Sequence, residues 1–283
     1  MKRFELKDHI AGAVYGFAVG DSVGATTEFM SKDEIRSKYG EVTKQLGGSW
    51  LDIDPGEVTD DTQMMLCVMD ALMKYPDDVD QFKHECASNF VKWLSTCPKD
   101  VGCTCREGIK FFKETGCYVE QNESKLGNGS LMRYLPCAIL GLDEFNIAQG
   151  EITHHSSMCA SLIQMTSEAL RKSMMGEYTH CDLKGPQNPS GKVTDTFANA
   201  MWYASHGNFN STLRGAVNDG GDADTIAAIA CSLAGARVGL SSIDPKLIAP
   251  LSIDVKKQFG KFIDFSVKFL ESSSNILFTN RIE

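Results

Sequence analysis

Apolar residues recur every three or four positions along most of this chain, and long stretches of alternating apolar and polar residues are missing. The recurrence is clear over residues 64–72 and again over residues 82–94. This spacing places the apolar side chains on one face of an α-helix. Further helices are predicted over 108–113, 131–140, 157–175, 195–205, 211–217, 225–238 and 254–270. We therefore predict an all-α protein.

The predicted loops cover residues 44–57, 116–129 and 182–192, where Gly, Pro, Ser and Asn collect. None is long enough or biased enough to be an interdomain linker. The chain has 283 residues, of which 42% are hydrophobic and 23% charged, an ordinary globular balance. We expect a single domain over residues 1–283, without internal repeats.

Glycines recur every four residues near the start of the chain, at positions 12, 16, 20 and 24. On a helix this spacing lines bare backbone along one side. Each glycine inside a helix costs about 0.5–1 kcal/mol relative to alanine. Close packing of a second helix against the row would offset that cost and is the favoured reading. Glu28 ends the same row and needs a separate explanation.

The charge balance and the hydropathy exclude two classes of partner. Lys and Arg total 28 against 37 Asp and Glu, a formal charge of −9, and no basic stripe is evident. A long nucleic acid is therefore not expected as a partner. The N-terminus lacks the apolar stretch of a secretory signal, and no run of about 18 apolar residues occurs. We expect a cytoplasmic monomer that does not enter a membrane.

The ten cysteines show no paired CxxC spacing. Cys97, Cys103, Cys105 and Cys117 cluster in sequence, but their spacing matches no common zinc site. We expect reduced thiols, several of them acting as small buried hydrophobic side chains.

Two adjacent acids, Asp60 and Asp61, stand between two threonines, Thr59 and Thr62, just before the apolar face of the predicted helix over residues 64–72. Asp60 fits an N-cap, with Gln63 three residues later. One cap explains one acid only. A pair of carboxylates at a helix start also suits a hard cation, which takes oxygen ligands. Capping and metal binding both remain open for this motif alone.

A second motif of the same character lies far along the chain. Two glycines, Gly220 and Gly221, deliver Asp222, Asp224 and Thr225 to the start of another predicted helix, and helix capping again competes with metal binding. If the two helix starts meet, they form an oxygen-only cage for two ions, which favours magnesium or manganese over zinc. The six candidate ligands are Thr59, Asp60, Asp61, Asp222, Asp224 and Thr225.

A glycine loop, Gly127-Asn128-Gly129-Ser130, precedes the helix predicted over residues 131–140. Free backbone N–H groups at a helix N-terminus form a natural cradle for a phosphate. The alternative is an ordinary glycine turn capped by Ser130.

Together these motifs resemble the ADP-ribosylglycohydrolase family, and their order and spacing look particularly like its bacterial dinitrogenase reductase activating glycohydrolases. The matching blocks are Gly20-Asp21-Ser22-Val23-Gly24 with Glu28, Thr59-Asp60-Asp61-Thr62, Gly127 to Arg133, Thr153-His154 and Gly220 to Thr225. They span Gly12 to Gly239, most of the chain.

The resemblance implies a compact, orthogonal all-helical domain with a dinuclear magnesium or manganese centre held by the six candidate ligands. It further implies that Glu28 closes over the site and touches metal or ribose. The residues it assigns to the bound ADP-ribose are Gly127, Asn128, Gly129, Ser130, His154 and Gly221.

Asp100 matches an aspartate that contacts the scissile region in this family, although an exposed loop acid is an alternative reading. Cys103 and Cys105 depart from the pattern, because family members often carry Asn and Thr there. That departure bears on which acceptor is recognised.

The function implied is hydrolysis of the bond between ADP-ribose and an acceptor, most favourably an arginine side chain, with serine as a second candidate. Such a bond breaks through an oxocarbenium-like transition state, and two metal ions would hold the ribose and activate water. A non-catalytic ADP-ribose reader or crystallin-like structural protein on the same scaffold is the alternative. From the acids alone, a metal-dependent phosphoesterase is a third reading.

Overall fold

The computed structural model describes residues 3–178, 181–182 and 184–272. Within these ranges the chain forms helices and loops without a β-strand, apart from isolated bridges at Gly48–Ile53 and Gly127–Lys192. The all-α prediction is confirmed. The helices are α1 (Arg3–Gly24), α2 (Lys32–Tyr39), α3 (Asp60–Lys74), α4 (Val79–Ser95), α5 (Cys103–Thr115), α6 (Leu135–Leu140), α7 (Asp143–Glu151), α8 (Ser157–Met174), α9 (Val193–Ser205), α10 (Phe209–Asn218), α11 (Ala223–Val238), α12 (Pro245–Ile248) and α13 (Ile253–Ser272), with a 3-10 turn at Leu240–Ser242.

Helix α11 is the central element, because every residue from Ala223 to Arg237 is buried. Helix α1 lies along it, backbone against backbone. A Cβ atom placed on Gly20 would lie 2.2 Å from the carbonyl oxygen of Ala227, and one on Gly235 would lie 2.1 Å from that of Gly12. Such distances leave no room for a side chain, so the close packing predicted from the glycine row is confirmed.

The remaining helices surround this pair. Helix α3 packs against α4, α6 and α13, and α8 packs against α6, α7, α9 and α11. One continuous apolar cluster runs from Leu6 in α1 to Leu270 in α13. Burial of this cluster is the main favourable contribution to folding, at about 25 cal/mol per Å² of apolar surface.

Several helices begin at a side-chain cap that satisfies otherwise free N–H groups. Ser31 and Glu34 form a capping box at α2, and Asp78, Asn208 and Asp244 cap α4, α10 and α12. The prediction that Asp60 is the N-cap of α3 is wrong. Thr59 is the N-cap, and its hydroxyl accepts the N–H of Asp61, whereas Asp60 is the first helical residue.

Three predicted helix boundaries are also wrong. The helix predicted over residues 108–113 begins five residues earlier, at Cys103. The helix predicted over residues 131–140 begins only at Leu135, because the carbonyl oxygen of Asn128 accepts the N–H groups of Leu131 and Met132 in a preceding turn. Helix α1 ends at Gly24, so Glu28 lies in the following turn and not on the glycine row.

The predicted loops over residues 44–57 and 116–129 contain no regular helix, and the loop over 182–192 is described except for residue 183. All ten cysteines are free thiols. No helix in the described ranges is long and apolar enough to cross a membrane.

Candidate active site

The N-terminal ends of α3 and α11 meet at a cleft of about 260 Å³ that is lined by carboxylates. Thr225 donates from its hydroxyl to Asp61 at 3.2 Å, although the two residues lie 164 positions apart. The predicted convergence of the two acidic motifs is thereby confirmed. The acids of the cleft are Glu28, Asp60, Asp61, Asp100, Asp222 and Asp224.

Asp21, which sequence reasoning did not single out, fixes the start of α3. Its buried carboxylate accepts the N–H groups of Thr59 and Thr62 at 3.1–3.2 Å, and both threonine hydroxyls donate to it, that of Thr59 at 2.8 Å. Burial outweighs these bonds and raises the pKa of Asp21 to about 6. Asp21 directly follows Gly20 and stands in a block that resembles the family, but neither observation assigned it this role.

Three acids from different parts of the chain come together at the cleft. Carboxylate oxygens of Glu28, Asp100 and Asp224 all lie within 4.8 Å of one another. Among the described residues, Oδ1 of Asp61 and Oδ1 of Asp224 are buried and have no hydrogen-bond partner. A buried polar atom without a partner is costly, by about 1–3 kcal/mol and more when charged. A divalent cation is the partner that such a set of oxygens fits.

The acids also raise one another's pKa values. Burial, and next the neighbouring carboxylates, raise the pKa values of Asp60, Asp61 and Asp224 well above the usual range. Burial raises the pKa of Asp222 to about 6 and that of Glu28 to about 8. A bound cation reverses this tendency, because it favours the ionised form of each carboxylate.

The glycine loop is tied directly to the second acidic motif. The side-chain amide of Asn128 donates to Asp222 at 2.6 Å and to Thr196 at 3.0 Å. Gly127 and Gly129 line the cleft beside the imidazole of His154. A Cβ atom on Gly129 would lie 2.5 Å from Cys105 Sγ and 2.7 Å from His154 Cε1, so a larger residue there would have to displace one of these buried side chains. The loop therefore lies against the acids, as the sequence motifs predicted.

Arg133 anchors the loop from below. Its fully buried guanidinium donates to the carbonyl oxygens of Gly129 at 2.7 Å and Gln149 at 2.8 Å, and to the hydroxyl of Thr153 at 2.9 Å. It also stacks on Phe90, 4.7 Å from the ring centroid. Burial lowers the pKa of Arg133 from its ordinary value. A cation at this position favours an anion on the loop above it.

His154 is held in its neutral form. The side chain is 3% exposed, and Nδ1 lies 2.8 Å from the hydroxyl of Thr153. Burial, reinforced by the charge of Arg133, lowers the pKa of His154 to about 3. The imidazole can therefore donate or accept a hydrogen bond at the cleft without carrying charge at neutral pH.

Three predicted site residues lie behind the cleft lining. Ser130 is fully buried. Thr59 is also buried, and its hydroxyl points away from the cleft lining to donate to Asp21. Gly221 gives its N–H to Met30 at 2.9 Å, and its carbonyl accepts the N–H of Phe29 at 2.7 Å. Gly221 thus joins the turn after α1 to the start of α11, and its backbone groups are already paired.

Two exposed aromatic side chains stand at the cleft, and sequence periodicity could not single them out because both lie in turns. Phe29 and Trp50 line the cleft, with ring centroids 5.5 Å apart. Trp50 donates from Nε1 to Glu28 at 2.8 Å. Cys103 and Cys105 also line the cleft, the first exposed and the second buried.

The sequence profile of the ADP-ribosylglycohydrolase family matches residues 3–184 and 164–268. The chain belongs to the ADP-ribosylglycohydrolase family. The acidic cleft is formed by the same motifs that carried the resemblance in the sequence.

Individual relatives agree with this placement. The chain is 36% identical to the ADP-ribosyl-[dinitrogen reductase] glycohydrolase of Rhodospirillum rubrum, over 92% of this chain and 95% of that protein. It is 27% identical to the ADP-ribosylarginine hydrolase Tri1 of Pseudomonas putida, over 85% of this chain and 73% of that protein. A solved structure titled ADP-ribosylglycohydrolase-related protein complex matches with a TM-score of 0.75 at 25% identity, covering 95% of this chain and 99% of that one.

Proposed function

We propose that this protein is a metal-dependent hydrolase that releases ADP-ribose from a mono-ADP-ribosylated protein side chain, with arginine favoured over serine as the acceptor. The general activity, glycohydrolysis of an ADP-ribosyl bond, follows the family and its named relatives.

The observation that carries the proposal is the convergence of Glu28, Asp100 and Asp224 within 4.8 Å, beside two buried carboxylate oxygens that lack a described partner. Oxygen-only donors of this kind suit magnesium or manganese. The residues that would hold two such ions are Asp60, Asp61, Asp222, Asp224 and Thr225, which line the cleft, with Thr59 directly behind them. When bound, divalent ions supply Lewis acidity and make water a stronger nucleophile at neutral pH.

The chain's own side chains would do the remaining work. The Gly127–Gly129 loop, with the charge of Arg133 beneath it, would hold the diphosphate, and neutral His154 would hydrogen-bond the sugar or phosphate beside it. As the bond to the acceptor breaks, positive charge develops at the anomeric carbon. The surrounding carboxylates stabilise that charge, and Glu28, oriented by Trp50, is placed to take the proton from water.

The favoured acceptor rests on two facts. One relative is named for its action on ADP-ribosylarginine, and the cleft carries acids that attract a cationic leaving group. A guanidinium remains protonated at neutral pH, so it is drawn to such a cleft, whereas a serine hydroxyl is not.

The test compares Asp224→Ala with Asp254→Ala, a control that removes an exposed acid from the first turn of α13. We expect Asp224→Ala to abolish release of ADP-ribose from a modified arginine peptide while its helical circular dichroism is retained. The control should match the wild-type protein. Retained turnover in Asp224→Ala would refute the assignment.

The same proteins distinguish the alternatives. Manganese or magnesium at about 100 times its Kd should stabilise the wild-type fold by about 2.7 kcal/mol in thermal unfolding, and this gain should be lost in Asp224→Ala. Tight binding of ADP-ribose without hydrolysis in either metal would favour a non-catalytic reader. Release of AMP or phosphate in place of intact ADP-ribose would identify a phosphoesterase.

A further inference from the structure

Two large aromatic side chains at the mouth of the cleft are left open to solvent. Phe29 is 68% exposed and Trp50 is 55% exposed, and their rings lie 5.5 Å apart at 41°. We name this pair, Phe29 and Trp50, the aromatic shelf. Apolar side chains are normally buried, so an exposed pair at a functional cleft indicates a surface that receives something.

The fold holds the aromatic shelf in place even though the backbone conformation of Phe29 is unfavourable. Phe29 has a positive φ of 59°, which is uncommon for a bulky residue and costs about 1–3 kcal/mol. Its N–H donates to the carbonyl of Gly221 at 2.7 Å. Trp50 is oriented by its bond to Glu28 and by the turn closed between Gly48 and Ile53. The rings are therefore preorganised.

The surroundings of the shelf specify the charge of its occupant. Carboxylates of Glu28 and Asp100 lie within 4.8 Å of each other in the same cleft, and the shelf rings line that cleft with them. Aromatic faces beside carboxylates suit a cation, because a planar guanidinium can stack on a ring while donating to carboxylates.

We propose that the aromatic shelf receives the guanidinium of the modified arginine and so selects the acceptor. This inference rests on the proposed function and concerns the leaving-group side of the same cleft. A neutral serine acceptor offers no cation to the rings, so the shelf should contribute to arginine substrates only. A cation over an aromatic ring in a partly desolvated site strengthens binding about three- to thirty-fold.

The substitution that isolates the ring is Phe29→Leu, which keeps an apolar side chain and removes the π face. Phe111→Leu is the matched control, because Phe111 is an exposed aromatic on α5 that does not line the acidic cleft. Two peptides of the same flanking sequence, one ADP-ribosylated on arginine and one on serine, are hydrolysed by each protein in manganese.

We expect Phe29→Leu to lower the ratio of kcat/KM for the arginine peptide to that for the serine peptide by about three- to thirty-fold. The change should appear mainly in KM. Trp50→Phe keeps a ring but loses the bond to Glu28, so it should lower kcat for both peptides and leave the ratio within about threefold. An unchanged ratio in Phe29→Leu, or an equal fall in Phe111→Leu, would overturn the proposal.

A binding measurement separates failure of this inference from failure of the proposed function. Ethylguanidinium and its neutral isostere ethylurea are titrated into each protein in the presence of saturating ADP-ribose. Only ethylguanidinium should bind, and Phe29→Leu should weaken it about three- to thirty-fold. Equal binding of the two probes would exclude a guanidinium site, whereas absent hydrolysis with selective ethylguanidinium binding would refute the catalytic proposal alone.

Discussion

Replacing Gly20 by alanine tests whether the close contact between α1 and α11 determines the stability of the fold. The new Cβ atom would lie 2.2 Å from the carbonyl oxygen of Ala227, although real Cβ contacts essentially never fall below 3.0 Å. The two helices would have to separate by about 0.8 Å at this point. A gap of 0.5–1 Å forfeits roughly a quarter to a half of the dispersion energy of each affected contact.

The magnitude combines two opposing effects. Alanine gains about 0.5–1 kcal/mol over glycine inside a helix. Overpacking of a well-packed core costs typically about 1–3 kcal/mol and occasionally more, and a backbone carbonyl cannot rotate away as a side chain can. We expect Gly20→Ala to lower the free energy of unfolding by about 2 kcal/mol, which corresponds to a fall in Tm of about 4–8 °C.

Gly260 supplies a control of opposite sign. It lies inside α13, is exposed, and a Cβ atom there would have no heavy atom of the described residues within 4 Å. Gly260→Ala should therefore raise Tm by about 1–4 °C through the helix-propensity gain alone. Thermal unfolding in one buffer measures both variants. If Gly20→Ala proves as stable as the wild-type protein, the close approach of the two helices is refuted.

Two further predictions concern the loop and its supports. The pKa of His154 is about 3 in the folded protein and about 6.5 when unfolded, so the unfolded chain binds the extra proton and stability is lost as pH falls from 6.5. Between pH 6 and pH 4 the wild-type protein should lose about 2–3 kcal/mol more than His154→Gln in urea unfolding, and parallel curves would contradict this. Arg133→Met leaves the carbonyls of Gly129 and Gln149 without their donor and should lower Tm by at least about 6 °C. Arg214→Met removes only an exposed ion pair with Glu41 and should have little effect, and similar losses in both arginine variants would count against the anchoring role.

The long helices could be read from the sequence because their apolar residues recur with a helical period. Shorter helices could not: α2 buries only Ile35, and α12 has four residues. The boundary error at Leu131 has a different cause. The carbonyl oxygen of Asn128 accepts the N–H groups of Leu131 and Met132 and closes turns over residues 129–133, although the apolar spacing of this segment also fits a helix.

The sequence predicted those residues of the candidate site that belong to recognisable motifs. Both acidic motifs, Glu28, Asp100 and the glycine loop meet at one cleft, as expected. Asp21 was not predicted because its partners lie about 40 positions away, and a carboxylate in a helix has many possible roles. The aromatic shelf was missed because turns have no periodicity from which a shared surface could be inferred.

The long sequence separation between the two acidic motifs determines when the site can form during synthesis of the chain. Thr225 follows Asp61 by 164 positions, so at a synthesis rate of about 5–20 residues per second the second motif leaves the ribosome roughly 8–33 s after the first. During that interval the early acids have no helix α11 to bury them and remain hydrated. A nascent chain that stops before Asp222 carries three of the six proposed ligands and lacks the part of the cleft lining that Asp222, Asp224 and Thr225 supply.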